Sequence, residues 1–305
     1  MNSTQIPIES LLEAHGQWLE NPLTGRQADL SGMILNELNL EGANLRRARL
    51  IGAMLLDANF AGANLAEAKL ERTDAQRANF AGADFTGAIL DRATFSEAWM
   101  NRTALSESVV TGTKFNKAHL SQARMIEASV RDASFLEACV KGVSFHQSRF
   151  YDVDFTGSEL EEAQFYHACL QHTRFTGAVA PDAIFSGAKL DHCDFTRADL
   201  HGAKFSRAEV IQCVFRHADL KECDFREVRI RGGDFSSASL CGSRFGESQL
   251  LTADFRGTNL CDVRDLTGKQ LGLCLTDQRT ILPNGKPGPY MRNSGAERPA
   301  TRARS

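Results

Sequence analysis

The chain has 305 residues, 42% of them hydrophobic, and a formal net charge of −3 at neutral pH. That content suffices for a buried core, yet no run approaches the roughly 18 apolar residues of a membrane helix. With so ordinary a charge balance, neither a membrane nor a direct nucleic-acid partner is expected.

From Met1 to Ile8 no basic region precedes an apolar stretch, so no secretory signal is read. A cytoplasmic address is the default, and with it reduced thiols for the eight cysteines. Residues 8 to 20 place Ile8, Leu11, Leu12, His15, Trp18 and Leu19 at spacings of three and four, which predicts one short amphipathic helix. Residues 1–25 are therefore a capping helix and its lead-in, with docking of a partner as the other use of that helix. His15 is expected to pack in the cap rather than hold a ligand.

From Leu30 to Leu260 every fifth residue is apolar, 47 positions without a slip, and only Ala75 and Ala180 among them are small. A period of five fits neither a helix nor a flat strand and demands a repeat architecture. The residue two before each centre is nearly always small, as at Ala43, Ala48, Ala53, Ala203 and Cys213. Asp or Asn often precedes the centre, and Gly often stands two after it, as at Gly42, Gly62 and Gly202, which predicts a turn in every repeat.

Runs such as Ala43-Asn44-Leu45, Ala63-Asn64-Leu65, Ala83-Asp84-Phe85 and Ala198-Asp199-Leu200 resemble the A(D/N)LXX unit of pentapeptide repeat proteins. The resemblance implies an all-β solenoid over residues 26–265, a right-handed quadrilateral β-helix of about twelve coils with twenty residues in each. Centres and the small residues two before them would point inward. The sequence supports four sides independently, because Phe recurs every ten residues from Phe145 to Phe255 and only an even number of sides keeps Phe on its own faces. Sorting by twenty stacks Phe155, Phe175, Phe195, Phe215, Phe235 and Phe255 into a core ladder, with Phe145 to Phe245 on the opposite face.

Irregularities mark candidate sites. Trp99 and Val109 take outward positions where Asp or Asn is usual, making a candidate partner-binding patch, with a local distortion or a side chain lying against the solenoid as the other readings. Ile34, Met54, Leu56, Ile89, Leu136, Ile184, Ile211 and Val214 also look outward in this frame. Pro181 after Ala180 predicts a local irregularity, with a hinge or contact site as the other reading. Cys193 and Cys213 lie twenty apart and inward, Cys241 and Cys261 twenty apart and outward; parallel stacked Cβ vectors favour structural filler over disulfides, and no C-x-x-C pair offers a zinc site. His172 and His192 stack beside Asp191 as solvated surface.

After Leu260 the frame fails at Asp265. Leu266, Leu271, Leu273 and Leu275 are expected to cover the last coil in a C-terminal cap over 266–285, and residues 286–305 to form a flexible basic tail of net charge +4.

The chain carries no G-x-S-x-G, Walker loop, dinucleotide fingerprint or metalloprotease His ladder. The expectation is a non-enzymatic protein-interaction scaffold, without cofactor or metal, whose protein partner the sequence does not identify. Some relatives in the resembling family mimic DNA and bind DNA gyrase; that reading is disfavoured, because residues 26–265 carry 28 Lys+Arg against 33 Asp+Glu and one face sets Arg49, Lys69, Arg149, Lys189 and Arg229 before its centres. A secreted bacterial effector is a further alternative.

Overall fold

The computed structural model describes residues 8–299. The segments 1–7 and 300–305, which hold the stretch read for a signal and Arg302 and Arg304 of the tail, lie outside the described residues. Two compact units divide the chain, Met1–Cys139 and Val140–Ser305.

The first unit opens with α1 (Ile8–Glu20). Its inward ring, His15, is fully buried, accepting the Ala28 N–H at Nδ1 (3.0 Å) and bonding the Arg46 carbonyl through Nε2 (3.0 Å). The helix is thus tied to the first coil by a histidine that packs in the cap. Beyond it, parallel bridges join residues twenty apart: Asp29 to Arg49, Ile34 to Met54, Asn39 to Asn59 and Asn44 to Asn64. Four bridges per twenty residues make a four-sided coil, so the protein is a parallel β-solenoid with a short N-terminal helix. On one side the bridges lengthen into β1 (Val109–Thr111) and β2 (Ser129–Arg131), with Val110 opposite Val130.

The second unit continues that pattern with β3 (Arg149–Tyr151), β4 (Cys169–Gln171), β5 (Lys189–Asp191), β6 (Glu209–Ile211), β7 (Arg229–Arg231) and β8 (Gln249–Leu251), each parallel to the next. These strands account for about seven turns of β-solenoid, against the roughly twelve coils predicted. Coils before Val109 are held by single bridges instead. The difference lies at the corner after this side. In early coils that corner is closed by a turn bond, as from Ala93 N–H to Leu90 O at 3.0 Å. From Val110 onward no such bond closes it among the described residues, and the extended backbone runs one residue further.

The corners explain the repeat. The residue after each centre aims its N–H away from the ladder, and the Asp or Asn just before the centre accepts it: Ala61 to Asn59 (3.1 Å), Thr86 to Asp84 (2.9 Å), Thr156 to Asp154 (2.9 Å). Proline lacks only that expendable N–H, so Pro181 interrupts nothing. Ala180 N–H still reaches Asp199 O (2.7 Å), Asp182 N–H reaches His201 O (2.8 Å), and the predicted irregularity is absent there. The next residue is left-handed at nearly every corner, whether Gly62 (φ 64), Glu67 (φ 57), Arg77 (φ 56) or His192 (φ 53). A non-glycine residue costs about 1–2 kcal/mol in that conformation. Its N–H is held in compensation by a carbonyl one coil on, as from Glu67 to Thr86 O at 2.8 Å.

Inward positions are filled. Ala203, Cys213 and the Phe centres are buried. In the second unit Phe155, Phe175, Phe195, Phe215 and Phe235 stack at 4.6–5.2 Å between ring centroids, and Phe255 tilts onto Phe235 at 5.3 Å. The facing ladder from Phe145 to Phe245 stacks at 4.7–5.0 Å and meets the first edge-on, as Phe185 does Phe195 at 5.6 Å and 88°. Offset stacks and edge contacts both suit the ring quadrupole.

The C-terminal part departs from expectation twice. Leu266 and Leu271 are buried, but Leu273 and Leu275 are half-exposed. Backbone rather than side chains closes the last coil: Leu275 and Ile281 take bridge positions against Asp254 and Asn259. Before them in the chain, α2 (Gly268–Leu271) is capped by Thr267, and Gln270 Nε2 donates to Ser248 O (2.9 Å). The residues after Lys286 are also no free tail as far as Arg298. Gly288 N–H bonds Thr280 O (2.6 Å), Tyr290 N–H bonds Thr276 Oγ1 (3.0 Å), Asn284 N–H bonds Ala296 O (3.2 Å), and Ala296 is buried. Backbone bonding, which composition does not report, holds this apolar-poor stretch.

Candidate functional site

Trp99 lies in the first unit at the centre of an outward column. Bridges connect Asn39, Asn59, Asn79, Trp99, His119 and Cys139 in turn. The asparagines form an amide ladder, Asn59 Nδ2 donating to Asn39 Oδ1 (2.9 Å) and Asn79 Nδ2 to Asn59 Oδ1 (3.1 Å). An indole cannot continue that ladder. Trp99 instead lies flat on the His119 imidazole, 4.2 Å between centroids and 16° from parallel, and stays 50% exposed. Its backbone is regular, with Trp99 N–H on Ala78 O (2.9 Å) and Phe80 N–H on Trp99 O (2.7 Å), so no distortion accompanies the ring.

Beside this column is a depression of about 570 Å³ floored by Ala81 and Gly82 and walled by Asn101, Arg102, Ser121 and Gln122. The small Ala81 and Gly82 leave it open beside the larger Asn101 and Arg102 of the next coil. Arg102 donates to Gln122 Oε1 at 3.0 Å and forms no ion pair among the described residues.

Val109 is not part of this arrangement. Ten residues are half a coil, so β1 carries Val109 on the opposite side, bridged to Ile89 and Ser129. Of the other outward apolar residues, Ile34 (68%) and Met54 (42%) are exposed and bridged to each other, while Leu56, Ile89, Leu136, Ile184, Ile211 and Val214 are half-buried. His119, Arg102 and Gln122 were missed in the sequence. The signal that finds them is the twenty-residue step from Trp99 and from Gly82.

In the second unit a depression of about 410 Å³ is lined by Tyr166, His167, Ser186, Gly187, Ser206, Arg207, Arg226 and Glu227. Its guanidinium groups are already engaged, Arg207 with Glu227 (3.0 Å) and Arg226 with Asp224 (2.6 Å). Nearby His146 stacks on Tyr166 at 4.9 Å, and burial together with the His167 charge lowers its pKa. His172 and His192 approach to 5.2 Å, with His192 Nδ1 2.7 Å from Asp191 Oδ1.

The cysteine reading holds for one pair and fails for the other. Cys193 and Cys213 are buried thiols that donate weakly to Leu170 O and Leu190 O (both 3.5 Å), carbonyls at the open corners; burial raises the Cys193 pKa. Cys241 and Cys261 form a disulfide, with Cα atoms 4.8 Å apart. Outward side chains are not locked by packing, so the two sulfurs can turn toward each other despite parallel Cβ vectors. Asp262 joins them in a group of three ligand-bearing side chains whose donor atoms lie within 4.8 Å of one another.

The pentapeptide repeats family matches the chain in eight overlapping segments that together run from residue 26 to residue 246, and the chain belongs to that family. Solved structures with likeness to it include HetL, a pentapeptide repeat protein involved in heterocyst differentiation regulation from the cyanobacterium Nostoc (22% identity, 90% of this chain and 98% of that one, TM-score 0.32). Another is QnrB1, a plasmid-mediated fluoroquinolone resistance protein (18% identity, 55% and 91%, TM-score 0.25). A third is a pentapeptide repeat protein of the Arabidopsis thaliana thylakoid lumen (26% identity, 36% and 63%, TM-score 0.23). Among curated proteins none matches the chain. No helix among the described residues is long and apolar enough to cross a membrane.

Proposed function

We propose that this protein is a non-enzymatic, cytoplasmic protein-interaction scaffold whose docking point is Trp99 with His119 and Arg102. The observation that carries this reading is the half-exposed indole, fixed by its stack on His119 beside the Arg102 depression. Rigid Trp and Arg side chains carry a large share of interface energy, and a pre-stacked ring loses little freedom on binding. The filled interior favours a role exercised through the outer surface.

Charge pairing argues against the gyrase-binding DNA mimic. Such mimicry needs free carboxylates in place of phosphates, whereas Asp57, Glu67, Asp154, Asp224, Asp234 and Asp254 are each engaged by arginine at 2.5–3.0 Å. Basic residues also stand on the β3–β8 side at Arg149, Lys189 and Arg229.

The test is affinity capture from the source cell with wild type, Trp99→Ala and Val109→Ala as baits, followed by a binding titration of the captured protein. Trp99→Ala should weaken binding about thirtyfold, the equivalent of about 2 kcal/mol, and Val109→Ala should not change it. Equal affinity for all three overturns the docking point. Salt-sensitive inhibition of gyrase supercoiling, or drug protection, by the purified protein would favour the mimic instead.

A further inference from the structure

We propose that Cys241, Cys261 and Asp262 form a redox-gated zinc site, closed by the disulfide and opened by its reduction. Cys241 and Cys261 each follow a centre on the same side of adjacent coils, which brings their Cα atoms to 4.8 Å. All three side chains are half-buried, near enough to solvent for a reductant and a metal to enter. Two thiolates on a tetrahedral zinc, each at about 2.3 Å, stand about 3.8 Å apart. Outward side chains reach that separation by rotating about χ1, with no movement of the coils.

The third ligand is placed by the corner. Asp262 follows Cys261 in the left-handed conformation (φ 54), and its carboxylate falls within 4.8 Å of the sulfurs. No ion pair engages it among the described residues. A second carboxylate is close on the same corner column. Gly242 follows Cys241, and a Cβ there would stand 2.4 Å from Glu222 Oε1, so the Glu222 carboxylate occupies the space that a side chain at Gly242 would fill. Lys221, next to Glu222 in the chain, is held by Asp219 at 2.7 Å. Two sulfurs with surrounding carboxylate charge suit a borderline-soft divalent cation, and zinc accepts S and O donors with water in the fourth position.

The chemistry balances. A dithiol reductant supplies two electrons and two protons, the sulfur–sulfur bond breaks, and the reductant leaves as a disulfide. Zinc then binds both sulfurs and releases the two thiol protons to solvent. The state of the site bears on the end of the solenoid, because Asp262 N–H bonds Pro283 O (3.2 Å) and Leu260 N–H bonds Ile281 O (2.8 Å) in the closing segment. A disulfide in a reducing compartment is usually transient or sensing, which agrees with a gated site.

The experiment titrates Zn²⁺ against a chromophoric chelator into oxidised protein, protein reduced by a non-chelating phosphine, and reduced Asp262→Ala and Cys241→Ser/Cys261→Ser variants. Cobalt substitution reports thiolate ligation through its charge-transfer band. Reduced wild type should take up one zinc per chain with release of two protons, and the oxidised form none. Asp262→Ala should bind at least about tenfold more weakly, and the double variant should lose both uptake and band. The variants change outward positions, and a melting curve for each confirms that it folds. Uptake by the double variant equal to wild type, or none by the reduced wild type, overturns the proposal; unchanged affinity in Asp262→Ala removes the carboxylate from it.

Discussion

The Nδ1 atom of His15 accepts the backbone N–H of Ala28 at 3.0 Å, while the same ring bonds the Arg46 carbonyl through Nε2. This fixes the neutral tautomer that carries its proton on Nε2. A proton added at Nδ1 would oppose the Ala28 N–H, and burial lowers the His15 pKa below 6.5 more than the bond to Arg46 O raises it. Between the lowered value and 6.5 the unfolded chain binds more protons than the folded one, so the stabilisation from His15 is complete above 6.5 and is lost as pH falls through that window. Melting curves from pH 7.5 down to 5 should show loss of the N-terminal cap. His15→Gln, which keeps an acceptor and a donor without the titration, should flatten that dependence. An identical slope in the variant would place the pH sensitivity elsewhere.

Gly62 isolates the cost of a corner. It sits at φ 64 with open space where a Cβ would be. Gly62→Ala should therefore destabilise by about 1–2 kcal/mol from backbone conformation alone. Equilibrium unfolding measures it, and no change would mean that the corner relaxes.

The register was legible in the sequence because a solenoid with a fixed coil length puts each side chain's fate into one arithmetic position. Ala203 and Phe205 are buried and Lys204 is exposed, as position alone dictates. Features that depend on side-chain rotation or on backbone bonds without periodicity were not legible. The Cys241–Cys261 bond needs a rotamer, the fold-back at Asn284 and Ala296 needs a non-repeating backbone contact, and the His119 partner of Trp99 emerges only once the coil length is applied to outward residues as well as to the core.

The register itself is open to a direct check. Ala203→Glu would bury an unpaired carboxylate beneath Phe205 and cost about 3–5 kcal/mol. Lys204→Glu stays on the surface opposite Asp224, whose carboxylate Arg226 holds, and should cost no more than about 1 kcal/mol. Comparable losses in chemical denaturation of the two variants would show the frame to be misplaced.

Thiol chemistry separates the two cysteine pairs. Disulfides that close loops of this length contribute about 2–4 kcal/mol, so reductant should lower the melting temperature. The Cys241→Ser/Cys261→Ser double variant should start at the reduced value and ignore the reductant. Cys193, Cys213 and Cys223 are buried, with burial raising the pKa of Cys193 and Cys223, and they should resist alkylation until the chain unfolds. Cys274 is only partly covered, but burial pushes its pKa up to about 12, so near pH 8 almost none of it is the reactive thiolate. Native labelling followed by mass spectrometry should therefore place early adducts on Cys139 and Cys169, with two further sites appearing only after reduction. Early adducts on Cys193 or Cys213 would contradict the inward register of that column. A melting temperature indifferent to reductant would show that the Cys241–Cys261 bond contributes nothing to the last coils.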